Sequence, residues 1–169
     1  GGGSITIDNG GGSNDSYVYA YGEGNYNTRT DNIQLLGTRI GQYASGSNNV
    51  FVGYFAGKGV NSSPSWSTGI SNVGIGKNSL FNFTSGHSNT AVGYQAGKAV
   101  TTGLQNVLVG YDADVDAGAG TNRIGIGYNV TVDADNKTII GNSSQTIVEF
   151  GGDTIIGNGV ILDNQVHIA

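Results

Sequence analysis

The feature that most constrains this chain is a recurring glycine. Asn49-Val50-Phe51-Val52-Gly53-Tyr54-Phe55-Ala56-Gly57-Lys58 aligns residue for residue with Asn89-Thr90-Ala91-Val92-Gly93-Tyr94-Gln95-Ala96-Gly97-Lys98. Asn106–Ala113 and Asn72–Ser79 give two more copies, and weaker ones centre on Gly41, Gly127, Gly141 and Gly157. The eight expected structural glycines are therefore Gly41, Gly53, Gly76, Gly93, Gly110, Gly127, Gly141 and Gly157, separated by 12, 23, 17, 17, 17, 14 and 16 residues. Self-similarity at such a period means small units that fold only by stacking on their neighbours.

The columns around the glycine say what each unit is. One residue before it stand Ile40, Val52, Ile75, Val92, Val109, Ile126, Ile140 and Ile156. Three before it stand Thr38, Val50, Val73, Thr90, Val107, Ile124, Thr138 and Thr154. All are β-branched, whereas the residue between varies from Gly74 to Phe51. Two constrained positions flanking a free one is the period-2 signature of a strand, and it predicts that the β-branched pair points into a shared dry interior. The glycine then turns a corner that needs φ > 0 or close backbone approach. Three residues later a small or branched residue (Ala44, Ala56, Ser79, Ala96, Ala113) opens a second, less regular strand. Strand, corner, strand and loop, stacked at about 4.8 Å per coil, predict an all-β parallel β-solenoid, a rod of eight coils about 40 Å long.

The strings Asn89-Thr90-Ala91-Val92-Gly93-Tyr94-Gln95-Ala96-Gly97 and Asn72-Val73-Gly74-Ile75-Gly76 resemble the head repeat of YadA-type trimeric adhesins. The Gly-Tyr-x-Ala version is still more similar to repeats of bacteriophage and phage-like tail fibres. The resemblance covers about residues 37–165. It implies a left-handed β-roll, three chains wound side by side as a homotrimer, and an extracellular or virion-surface location. The adhesin family's regular short coil appears here only between Gly127 and Gly141, which favours the tail-fibre branch.

Three segments follow. Residues 1–36 lack the repeat but hold strand-like stretches, among them Asn32–Leu36 and a face of Tyr17, Tyr19 and Tyr21; residues 37–145 form the β-roll; residues 146–169 form a C-terminal β segment with a change of coil geometry. The chain contains no Met, so Gly1 reads as the start of a fragment or processed product. The widest glycine gap, from Gly53 to Gly76, holds the one Pro and the one Trp, Pro64 and Trp66. A Trp-bearing loop on a stiff rod is a natural receptor contact, and Phe81, Phe83 and His87 from the next loop complete the candidate contact set.

Composition narrows the function. Ile and Val together outnumber Leu five to one, which disfavours a helical bundle. Charged residues are only 11% and the net charge is −5, so neither a nucleic-acid groove nor a membrane-inserting segment is expected. No Cys means no disulfide and no thiolate metal site.

Chemistry is not expected either. Asp112, Asp114 and Asp116 begin like a calcium loop, but Ala117 and Arg123 stand where that loop needs Gly and Glu. Gly74-Ile75-Gly76-Lys77 lacks the Ser/Thr and the helix of a phosphate loop. His87 and His167 have no zinc-like spacing. No catalytic, metal or cofactor residue is assigned, and the expected partners are the chain's own copies and a host-surface glycan or protein receptor.

The leading expectation is a structural and adhesive fibre, the trimeric shaft or head of a tail fibre that presents loops for host recognition. A bacterial trimeric adhesin head and a polysaccharide-degrading tailspike are the alternatives. An ice-binding rod ranks last, because Thr38, Thr90, Thr138 and Thr154 belong to the column expected to point inward.

Overall fold

The computed structural model describes residues 33–35 as backbone and residues 39–60 and 66–144 in full. The described part is all-β: β1 (Ile33–Leu35), β2 (Val50–Val52), β3 (Val73–Ile75), β4 (Thr90–Val92), β5 (Val107–Val109), β6 (Asp114–Val115), β7 (Ile124–Ile126), β8 (Thr131–Val132) and β9 (Thr138–Ile140). Seven of these stack into one parallel sheet in the order β1-β2-β3-β4-β5-β7-β9, while β6 pairs with β8 on a second side. The register never slips, with Val73 opposite Thr90, Thr90 opposite Val107 and Val107 opposite Ile124. Parallel strands joined by whole coils make a β-solenoid, whose seven-strand stack rises about 29 Å.

The orientation of the strands is the reverse of that expected. In β2, β4 and β5 the middle residue is buried and both flanking residues are half-buried. Phe51 and Ala91 are fully buried, whereas Ile75, Ile126 and Ile140 are 38%, 39% and 46% exposed. The β-branched residues beside each glycine therefore face outward, and the variable column fills the core. The reason is volume. A coil interior is narrow, so a large side chain in one layer needs a small one in the next. Phe51 lies beside Gly74, where an added Cβ would come 3.0 Å from the Phe51 ring, and Leu108 lies beside Gly125 in the same way at 3.1 Å. What reads in the sequence as freedom is complementary packing from coil to coil.

Two further corrections concern the first coil. Ile33–Leu35, expected in a separate N-terminal segment, pairs in register with β2, so the stack begins before residue 37. Gly41 is not a corner glycine. Its N–H donates to Ala56 O, just as Gly57 N–H donates to Ser79 O and Gly97 N–H to Ala113 O. Gly41 thus stacks on Gly57, four residues past the corner, and its neighbour Ile40 is buried. This displaced frame accounts for the odd 12-residue spacing. The other expected corner glycines among the described residues, Gly53, Gly76, Gly93, Gly110, Gly127 and Gly141, all have positive φ.

The interior has a polar spine. Asn49, Asn72, Asn89 and Asn106 open successive coils and are fully buried or nearly so. Each Asn side-chain oxygen accepts the next coil's backbone N–H, and each next Asn amide also reaches a carbonyl near the end of its own coil, as Asn89 Nδ2 does to Gly103 O at 2.9 Å. The residue before each Asn (Asn48, Ser71, Ser88, Gln105) has φ near +60°, which turns the chain into the strand. At the fifth layer Arg123 takes the Asn position, its N–H on Asn106 Oδ1 at 3.0 Å.

Among the described residues the second strand expected in every coil is present as a ladder only in β6–β8, with an isolated bridge at Ala44–Ser67. There Ala113, Val115, Val130 and Val132 are buried. The strand-like stretches expected around Tyr17–Tyr21 and in residues 146–169, and the glycine at 157, lie outside the described residues.

Candidate functional site

Corner geometry puts one side chain per coil into a single outward file. Gly110 has φ +137°, and its N–H donates to Val92 O at 2.8 Å. A Cβ here would run into the backbone of Gly127 in the next coil, so the corner accepts no side chain. Asp112 follows at φ +55° and donates its N–H to Tyr94 O at 2.8 Å. Tyr111, held between them, has nowhere to point but out. The same construction places Tyr54, Lys77, Tyr94 and Tyr128.

These side chains touch from coil to coil. Tyr94 and Tyr111 stack with ring centroids 4.9 Å apart at 17°, and Tyr111 and Tyr128 at 5.4 Å and 22°. Lys77 replaces Tyr in one layer, and its Nζ lies 5.7 Å from the Tyr54 ring and 5.9 Å from the Tyr94 ring. Tyr111 is covered by a ring on each face yet remains 51% exposed, so what it offers to solvent is its edge and hydroxyl.

At Tyr54 the file joins a second cluster. Tyr54 packs edge-on to Phe55 at 4.2 Å, and Phe55 edge-on to Phe81 at 5.6 Å. The Lys58 ammonium lies 4.4 Å from the Phe81 centroid and within 6 Å of Phe55 and Tyr43. Arg39 covers Phe55, and Trp66 meets Tyr43 edge-on at 6.0 Å. Trp66, Tyr43, Lys58, Phe55, Tyr54 and Lys77 thus form one continuous seam with the tyrosine file.

Of the five expected contact residues, Trp66 and Phe81 belong to this seam. Phe83 does not. It is fully buried and packs on Phe51 at 5.5 Å, so it is core rather than contact surface. His87 is exposed but pairs through its backbone with Leu104 on another part of the coil, its Nδ1 3.4 Å from Ser85 O. Pro64 lies outside the described residues. The sequence reading missed the file itself, although Tyr after the corner glycine in four copies was its visible signal.

Charge is segregated along the rod. From Arg39 to Val100 the sequence carries Arg39, Lys58, Lys77 and Lys98 and not one Asp or Glu. Among the described residues Arg39, Lys58 and Lys77 have aromatic rings, not carboxylates, as partners. Among the described residues the acids all lie further on, from Asp112 to Asp135. Buried Arg123 donates to Asp116 at 2.5 Å, Asp135 at 2.8 Å and Val132 O at 2.9 Å. The backbone N–H of Thr121 and the Arg123 guanidinium hold the Asp135 carboxyl below the usual range. Asp114 folds back to accept the Ala99 N–H at 3.0 Å and the Val115 N–H at 2.9 Å. Burial pushes its pKa up to about 6 against those hydrogen bonds.

No family model, curated protein or solved structure matches the chain. No helix among the described residues is long and apolar enough to cross a membrane.

Proposed function

We propose that this chain is a structural and adhesive fibre protein, in which copies of the chain pack side by side as a homotrimer and present the seam to a host surface. The observation that carries this reading is the outward β-branched face shared by β2, β3, β4, β5, β7 and β9. A lone rod in water gains nothing from a row of Val and Ile pointing at solvent. A partner copy makes it the centre of an apolar interface. The parallel register adds to this, because a flat, regularly repeating face is complementary to its own copy along the whole length. Thr90 and Thr138 lie on this face too, but Val50, Val73, Val107 and Ile124 share their column, so the row is apolar rather than the Thr ladder an ice-binding rod needs.

In this reading function is mechanical. Stacked coils give stiffness, and threefold symmetry multiplies weak contacts into avidity. The tail-fibre assignment, with a virion-surface location, is preferred over a bacterial adhesin head because of the variable coil lengths. Light scattering of the chain at micromolar concentration is the test. A mass of three times 17.2 kDa is expected, reduced to one chain by Val92→Asp with Val109→Asp. A stable folded monomer for the parent sequence overturns the proposal.

A further inference from the structure

We infer that the seam from Trp66 to Tyr128 binds an acidic polysaccharide, a sugar chain bearing regularly spaced carboxylates, laid along the rod axis. The inference deepens the host-surface reading and rests on it. Three observations carry it.

First, three of the cations, Arg39, Lys58 and Lys77, have no carboxylate partner among the described residues. In a chain of net charge −5, the stretch from Arg39 to Val100 holds four cations and no acid. Lys58 and Lys77 sit on rings rather than carboxylates, so their N–H donors stay available to an incoming anion. Second, the surface repeats. A row that advances one side chain per coil, with rings 4.9 and 5.4 Å apart, matches a linear polymer better than a single small anion. Third, the kind of aromatic exposure selects among polymers. Nucleobases stack on open ring faces. In the Tyr94–Tyr111–Tyr128 file the faces between rings are taken by the rings themselves, and the exposed parts of Tyr111 are edge and hydroxyl, which suit the hydroxyls and C–H edges of sugars. Past Tyr111 the rod turns acidic at Asp112, Asp116 and Asp133, which opposes a densely charged phosphate backbone more than a sparse carboxylate chain.

The test uses the intact chain in affinity electrophoresis against polygalacturonate, hyaluronate and polysialic acid, with fully methyl-esterified polygalacturonate as the uncharged copy of the same backbone. Binding to at least one acidic chain is expected, with affinity at least about tenfold weaker for the ester than for the acid if polygalacturonate is the one bound, and falling with salt. Lys58→Gln with Lys77→Gln should weaken it about tenfold while leaving circular dichroism unchanged, and Tyr111→Phe about threefold. Lys77→Arg should retain it. Failure to bind any of the three acidic chains, equal binding to acid and ester, or an unaffected Lys58/Lys77 double variant overturns the inference. Tighter binding of single-stranded DNA than of any polysaccharide also overturns it. Light scattering on the same samples keeps the two proposals apart. An assembled trimer that ignores every acidic chain sinks this inference alone, and a monomer that binds them sinks the trimer alone.

Discussion

The side-chain oxygen of Asn89 accepts two hydrogen bonds from Asn106, one from its backbone N–H and one from its Nδ2, both at 3.0 Å. With Asn106 Nδ2 also on Gly120 O at 2.8 Å, the amides tie together three chain segments of two successive coils. No apolar side chain can replace this, since the backbone donors it satisfies remain buried. Asn89→Ala leaves the Asn106 N–H and amide short of a partner and opens a small void. A loss of about 2–4 kcal/mol is expected in urea unfolding followed by circular dichroism. A loss below about 0.5 kcal/mol would mean that water takes over the role.

Leu108 and Val109 are neighbours on one strand with opposite fates. Leu108 is 1% exposed in the coil interior, between the small layers at Ala91 and Gly125, and Val109 is half-buried on the outer face. Leu108→Ala should cost about 2–4 kcal/mol at every protein concentration. Val109→Ala should cost less than about 1 kcal/mol in dilute solution, but lower the Tm more at high concentration if the outer face packs against a copy. Equal, concentration-independent effects would place the dry interior on the wrong side of the strand or leave the outer face bare.

The strands, their parallel stacking and the corner glycines are legible in the sequence because backbone demands leave few substitutes. Gly53 at φ +120° and Gly93 at φ +136° had to be glycine. The direction of the side chains is not legible by the usual rule that apolar means inward. That rule reads each residue by its own hydrophobicity, whereas in these strands the inner column is chosen coil against coil, Phe51 against Gly74 and Leu108 against Gly125. The first coil was misread because Thr38-Arg39-Ile40-Gly41 imitates the repeat while standing four residues out of frame. The seam was half legible: Trp66 and Phe81 stood out as aromatic loop residues, but joining them to Lys58 and Tyr54 takes the 23-residue coil closing back on Tyr43.

Arg123 ends the asparagine spine and begins a short coil, since Ile124–Ile126 pairs with Thr138–Ile140. Its guanidinium is buried, but the Asp116 and Asp135 side chains it holds are about half exposed. Removing it therefore strands no buried carboxylate. It does remove a partner of Val132 O and a large volume from between coils. Arg123→Ala should cost about 1–3 kcal/mol, and Arg123→Lys should recover only part, since one ammonium cannot serve both aspartates and the carbonyl in the same fork. Asp135 adds a pH dependence of ordinary sign. Its folded pKa lies below the usual carboxylate value, so its contribution is present at neutral pH and lost as pH falls through that depressed value. Thermal melts of Asp135→Asn between pH 2 and 5 should be flatter than those of the parent.

Asp114 gives the opposite slope, and the two can be separated by where they act. Burial, aided by nearby Asp112, raises its pKa to about 6 in spite of the N–H groups of Val115 and Ala99 and the charge of Lys98. The folded chain thus holds the Asp114 proton more tightly than the unfolded chain does, whose carboxyl titrates near 3.8. Between those two values unfolding releases a proton, so stability falls as pH rises from about 4 to about 6 and levels off above. Asp114→Asn keeps an oxygen to accept the two N–H groups and never ionises. The variant should melt about 5 °C above the parent at pH 7.5, match it near pH 3.5, and show no slope between. A parent Tm that rises between pH 4 and 6, with Asp114→Asn melting lower at pH 7.5, would show that the hydrogen bonds from Ala99 and Val115 outweigh the cost of burying the charge.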